Sequence, residues 1–289
     1  MEITMKNHIP PILTSPKQFN LKKLLKVSLQ KTIRRLLKIP LFWRLTDLIY
    51  DEFKAEQKRI EQKILNLVST GAEPEILDGP FRGMKYGEKS VGGALLPKLI
   101  GSYEKELSNL VNSFVSKNYD NVVDIGSAEG YYVVGLARML KDAKIIAFDI
   151  DPEAHRLCYE NAVKNNVADK ITFKNYCSAE ELSEVIQKKT LVICDCEGFE
   201  AEILNPVEVS KLEQCDILVE LHDFIVPGVT ELIKNRFKDT HRITLISEET
   251  RPPDDLPILE TLKSHEKSIA LSEKRSCQMK WAFIERTSC

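Results

Sequence analysis

NVVDIGSAEGYYVVGLAR, residues 121–138, decides the fold, and IIAFDIDP, residues 145–152, completes the reading. Val122, Val123 and Ile125 read as a buried strand. Gly126, Ser127, Ala128 and Gly130 form a loop of small residues, and a helix follows. A second apolar strand over 145–148 ends in Asp149, nineteen residues past Gly130. Strand, small-residue loop, helix, strand, acid is the layout of a nucleoside-binding βαβ unit. Glycines there let backbone approach a ligand, and the acid accepts hydrogen bonds from ribose hydroxyls.

The loop departs from a dinucleotide fingerprint. GSAEG lacks the middle glycine and places Glu129 at the start of the helix, where a pyrophosphate would need free N–H groups and a positive dipole end. A carboxylate about 4 Å from a phosphate opposes it by roughly 1 kcal/mol in water and by more at a protein surface. A phosphate-free cofactor carrying a sulfonium and an ammonium, S-adenosylmethionine, suits such a loop better.

With those residues in place, the chain resembles the class I S-adenosylmethionine-dependent methyltransferases, DIGSAEG standing as the first motif. Within that class it is similar to the FkbM family. GPF-x-GM-x-Y over 79–86, LPKLIGSYEKEL over 96–107 and D-x-E-G-x-E over 195–200 carry the likeness. The resemblance implies that Asp124, Gly126, Ser127, Ala128, Gly130, Asp149 and Ile150 surround the cofactor, with Asp195 near it. It also implies that Tyr103 and Glu104 reach the methionine end. Cys177 and Ser178 stand where the family's adenine-contacting segment usually has an acid, which leaves the adenine contact open.

Outward from the motif, strands over 122–125, 144–148, 171–174, 190–195, 216–221, 242–247 and 280–286 alternate with helical patterns. Regular alternation argues for a mainly parallel sheet. The expected fold class is α/β: a Rossmann-like, seven-stranded, mostly parallel sheet with an antiparallel last strand, plus a helical N-terminal extension. The resemblance implies that the last two strands join without a helix. Three regions follow: a basic helical extension over 1–70, a glycine-rich lead-in or lid over 71–118, and the cofactor-binding core over 119–289.

In an open α/β sheet ligands sit beyond the carboxyl ends of the strands. After the fourth strand come Asp195 and Glu197; after the fifth come Glu220, His222 and Asp223. Period two puts Glu220 and His222 on one face. Methyl transfer from a sulfonium needs mainly alignment and desolvation, but a hydroxyl acceptor also needs a proton acceptor. His222 is the expected general base because its ordinary pKa lies near neutrality, with Glu197 and Glu220 as catalytic partners. The same acids offer oxygen ligands, and a metal, if any, would use Asp195, Glu197 and Asp223. Mg2+ is not favoured, since nothing in the spacing demands it. Arg251, Arg275 and Trp281 are candidate contacts for an anionic or carbohydrate acceptor.

The net charge of −2 hides an asymmetry. Residues 3–46 carry ten Lys or Arg and no acid, leaving 31 basic and 43 acidic residues elsewhere. Over 21–39, leucines and isoleucines at helical spacing alternate with lysines and arginines. The pattern predicts a basic amphipathic helix that packs on acidic protein surface, on a second subunit of a homo-oligomer or on an anionic membrane. The acidic remainder disfavours nucleic acid as a partner. Seven cysteines, odd in number and mostly within apolar segments, argue for reduced thiols and a cytoplasmic setting, with peripheral membrane contact through the basic helix left open.

The functional expectation is O-methylation of a sugar or natural-product hydroxyl, with a small-molecule or glycan acceptor. Two alternatives stand beside it. N-methylation of an amine or protein side chain often goes with an N/D-P-P-Y segment after the fourth strand, where CDCEGF stands here. A non-catalytic scaffold docked through the basic helix is the other, against which the intact Asp124, Gly126, Gly130 and Asp149 argue.

Overall fold

A computed structural model of the chain describes residues 39–69, 73–251, 256–275 and 277–287. The basic helix expected over 21–39 lies outside the described residues except at Ile39, as do residues 252–255 of the loop after the sixth strand.

Seven strands form one sheet: β1 (Asn121–Ile125), β2 (Lys144–Phe148), β3 (Ile171–Lys174), β4 (Thr190–Cys194), β5 (Asp216–Glu220), β6 (His241–Ser247) and β7 (Lys280–Arg286). Their order across the sheet is β3-β2-β1-β4-β5-β7-β6. β1 to β5 pair in parallel, and β7 runs antiparallel to both β5 and β6. Strand order reverses between β1 and β4, which opens a cleft beyond their carboxyl ends.

The helices are α1 (Pro40–Val68), α2 (Leu95–Ile100), α3 (Ser108–Lys117), α4 (Tyr131–Met139), α5 (Pro152–Lys164), α6 (Ala179–Val185), α7 (Glu200–Ile203), α8 (Val229–Phe237) and α9 (Ser264–Leu271). α9, preceded by a 3-10 turn over Pro257–Leu259, is a departure from expectation, because β6 and β7 were to join without a helix. Its sequence SHEKSIAL shows no apolar period. It is held instead by Glu266, which accepts from the Lys263 N–H at 2.9 Å and from the Lys63 ammonium at 2.8 Å.

β1, β4 and β5 are buried along their whole length, so their near-continuous apolar runs serve two cores. Val122, Ile145, Leu191 and Leu218 face one way, toward Phe114 of α3, Leu136 of α4 and Ala162 of α5. Val123, Ile146, Val192 and Ile217 face the other, toward Leu182 of α6 and Ile233 and Phe237 of α8. The lead-in joins the first core through Phe81, Met84, Tyr86 and Leu99, all essentially inaccessible.

By contacts the chain divides into two compact units, Met1–Glu56 and Gln57–Cys289. The division falls inside α1, and Ile60, Ile64 and Val68 are buried in the larger unit's core. The described part of the first unit is the opening of α1, where Trp43, Leu48, Ile49 and Phe53 are exposed.

The reversal point is held by close backbone approach. The Asp195 N–H donates to the Ile125 carbonyl at 3.0 Å, and Gly126 has φ +91°. A Cβ at Gly126 would stand 1.8 Å from the Asp195 carbonyl oxygen. Gly126→Ala therefore forces the exits of β1 and β4 apart, and we expect it to cost at least about 2 kcal/mol in urea denaturation; stability equal to wild type would contradict this packing.

Candidate active site

A cavity of about 530 Å3 occupies the cleft beyond β1, β2 and β4. Ile125, Phe148, Ile150, Tyr176 and Phe199 supply apolar walls, Asp149, Asp151, Asp195 and Glu197 supply carboxylates, and Val91 and Gly92 of the lead-in complete the lining. No Lys, Arg or His lines it among the described residues. Such a cavity suits an uncharged or cationic ligand with an apolar ring and repels a phosphate.

Asp149, at the end of β2, is fixed by backbone. Its Oδ2 accepts from the Ala128 N–H at 2.7 Å and its Oδ1 from the Asp151 N–H at 2.9 Å. Both bonds orient the carboxylate at the cavity wall. Asp124 stays out of the lining. Burial first, then the neighbouring Asp149 charge, pushes it up to about 8, so it holds its proton at neutral pH.

Glu129 does something other than the sequence suggested. It is fully buried and pairs with the equally buried Lys98 ammonium at 2.5 Å. Its Oε1 also accepts from the Tyr86 hydroxyl at 2.9 Å and from Ser90, and its Oε2 from the Val91 and Gly92 N–H groups at 3.1 and 2.9 Å. Lys98 and these donors outweigh burial and lower its pKa to about 2. The carboxylate is thus spent on holding the lead-in against the motif loop, where a Gly92 Cβ would come within 2.5 Å of the Ala128 Cβ. Repulsion of a phosphate falls to the acids lining the cavity, not to Glu129.

At the ends of β4 and β5 lies a second cluster. The His222 ring is buried, its Nδ1 3.0 Å from Glu200 Oε1, which also accepts the His222 backbone N–H at 3.0 Å. Its Nε2 faces Glu220 at 3.4 Å and Asp195 and Glu197 at 3.6 Å each. A bare lone pair aimed at three carboxylates is repelled by all of them, so a proton or another cation belongs at Nε2. Burial opposes the charged ring, but Glu200 and Glu220 raise it to about 11. His222, the expected general base, thus stands with its Nε2 turned toward three acids. Burial, then Glu220, raises Asp195 well above the usual carboxylate range, whereas His222 and Arg275 outweigh burial to keep Glu220 low.

Among the described residues Asp195, Glu220 and His222 place one ligand atom each within 4.8 Å of one another, close enough that the three could hold a metal ion. Asp223 is not part of it, because its carboxylate accepts from the Thr230 N–H and hydroxyl at the start of α8. Glu197 lies at the edge, exposed and in left-handed backbone with φ +52°.

Other expected contacts resolve differently. Ser178 caps α6 through the Glu181 N–H at 3.1 Å and Ser127 is buried, so neither lines the cavity, whereas Cys177 does. Gly130, with φ +88°, packs on Cys158 of α5. Tyr103 stacks edge-on against Tyr131 at 5.2 Å with the Lys98 ammonium over its ring. Glu104 binds Arg275 at 2.7 Å and the Tyr132 hydroxyl; burial, then Glu220, raises it to about 7. Arg275 also grips Glu220 and Glu273, Arg251 binds Glu106 and Glu273, and Trp281 is buried in the core. All three thus serve an internal ionic and apolar frame. Glu200 and Lys98, not singled out from sequence, sit in the quoted D-x-E-G-x-E and LPKLIG segments.

Residues 99–202 match a family model described as O-methyltransferase. The release factor glutamine methyltransferase of Dictyoglomus turgidum is 36% identical over 81 residues, 28% of this chain and 28% of that protein. The chain therefore spans well under a third of that relative's length. Among solved structures, the human methyltransferase 10 domain containing protein is 14% identical, covering 78% of this chain and 97% of that one at a TM-score of 0.46. The O-methyltransferase TomG of Streptomyces achromogenes, in complex with SAM, is 13% identical, covering 64% and 81% at a TM-score of 0.41.

Removing one partner of a buried ion pair strands the other. Glu129→Gln should cost roughly 3–5 kcal/mol of stability in chemical denaturation, and Lys98→Met should lose less because Tyr86, Ser90 and two backbone donors still serve the carboxylate. Equal losses for the two variants would contradict this hydrogen-bond map.

Proposed function

We propose that the chain is an S-adenosylmethionine-dependent O-methyltransferase of the class I fold, similar to the FkbM group, acting on a hydroxyl of a sugar or natural-product acceptor. The observation that carries the reading is the acid-lined, cation-free cavity at the strand reversal, roofed by Val91 and Gly92. The O-methyltransferase match over 99–202 supports the same chemistry. Bound there, S-adenosylmethionine supplies a methyl group on a good leaving group.

The chain's residues do the rest. Asp149 would accept from the ribose hydroxyls, Phe148, Ile150, Tyr176 and Phe199 would supply apolar surface for the base, and the Glu197 carboxylate would favour a cationic sulfur end. The hydroxyl proton passes to Glu220, the ionised member of the Asp195–Glu220 pair, while Glu200 and His222 hold that pair in place. A second reading is favoured by the convergence of Asp195, Glu220 and His222. These three residues would hold a divalent cation that lowers the acceptor's pKa, and an imidazole beside two carboxylates suits a transition ion better than Mg2+.

Transfer of labelled methyl from S-adenosylmethionine to a panel of free sugars and polyhydroxylated small molecules tests the reading. Asp149→Ala should weaken cofactor binding more than tenfold, while Glu220→Gln should bind the cofactor near normally and lose most turnover. Full turnover by Glu220→Gln would remove the carboxylate pair from the chemistry. Loss of turnover in chelator, restored by Mn2+, would select the second reading, and indifference to chelator the first.

A further inference from the structure

The opening of α1 presents an apolar surface that no described residue covers. Trp43, Leu45, Leu48, Ile49, Tyr50 and Phe53 are each 49–64% exposed. At 100° per residue they fall on one arc of roughly 220°, with Arg44, Asp47, Asp51 and Lys54 on the remainder. Thr46 and Glu52 interrupt the arc, and the Thr46 hydroxyl is satisfied by the Trp43 carbonyl at 2.8 Å. Single exposed leucines are ordinary on a protein surface; six large apolar side chains on one helix arc mark a contact face.

The charge of the adjoining sequence selects the occupant. Residues 3–46 carry ten Lys or Arg and no acid, running directly into this helix. A second copy packed on the same helix face would bring ten like charges against these, whereas an anionic lipid surface presents counter-charge throughout. Trp43 and Tyr50 are the residue types that settle at the boundary between headgroups and acyl chains. No helix among the described residues is long and apolar enough to cross a bilayer, so a membrane-bound helix here would lie in the interface rather than span it.

We propose that residues 39–53 dock the protein on an anionic membrane surface, the arc from Trp43 to Phe53 inserting below the headgroups and the basic segment before it binding them. Two signals, shallow apolar insertion and a polybasic stretch, are what durable peripheral attachment requires.

Vesicle flotation of the full chain tests it, using phosphatidylcholine alone and phosphatidylcholine mixed with phosphatidylglycerol. Wild type should float with the mixed vesicles, lose at least tenfold of that binding in high salt, and stay in solution with phosphatidylcholine alone. Trp43→Ser, Ile49→Ser and Phe53→Ser combined should reduce flotation at least tenfold while leaving S-adenosylmethionine binding unchanged, because none of the three lines the cavity. The chain has two tryptophans and Trp281 is buried, so a blue shift of emission on adding mixed vesicles reports Trp43. Equal flotation of wild type and the triple variant, or equal binding to both vesicle types, would overturn the proposal. So would a dimer in sedimentation that the triple variant abolishes, since it would assign the face to a second copy.

Discussion

Burying a charge is costly unless its partner and hydrogen bonds are buried with it, and Glu129 meets that condition completely. Its carboxylate gathers an ammonium, two hydroxyls and two backbone N–H groups from one stretch of chain, residues 86–98. None of those donors belongs to the sheet. The acid at the start of α4 therefore brings the lead-in onto the loop after β1, and Val91 and Gly92 become the roof of the cavity. Asn161 of α5 adds a second tie, accepting from the Gly87 N–H and donating to the Glu129 carbonyl, both at 2.9 Å.

Beneath the roof, charge is arranged in two zones. The cavity wall carries carboxylates and no lining cation, which sets the sign of what it accepts. Behind it, Arg275 joins Glu104, Glu220 and Glu273, and Arg251 joins Glu106 and Glu273. These guanidinium groups keep so many buried acids tolerable and are not free to meet an acceptor. Glu220 belongs to both zones, touching Arg275 on one side and the His222 ring on the other. It links the rigid frame to the groups that handle a proton.

The sheet was readable in the sequence because its parallel strands are buried on both faces, and VVDI, IIAF, LVIC and ILVE are apolar runs bounded by loops. Asp149 was readable for a similar reason, as an acid that must follow a strand. The helix over 264–271 was not, since it is held by Glu266 and Lys63 rather than by an apolar stripe. The role of Glu129 was misread: nothing local to GSAEG tells that a lysine thirty-one residues earlier folds over it. His222 was placed correctly beside Glu220, but its chemistry depends on Glu200, Asp195 and Glu197 converging from another strand's exit. Sequence shows residues at strand ends; it does not show the charge that surrounds them.

The central claim is that the cavity accepts a phosphate-free, cationic nucleoside. Titration calorimetry of the wild-type chain at neutral pH, with S-adenosylmethionine and with NAD+ in parallel, tests it most directly. The structure predicts saturable binding of S-adenosylmethionine and none of NAD+ at the same concentrations. Comparable binding of NAD+, or no heat with S-adenosylmethionine, would contradict it.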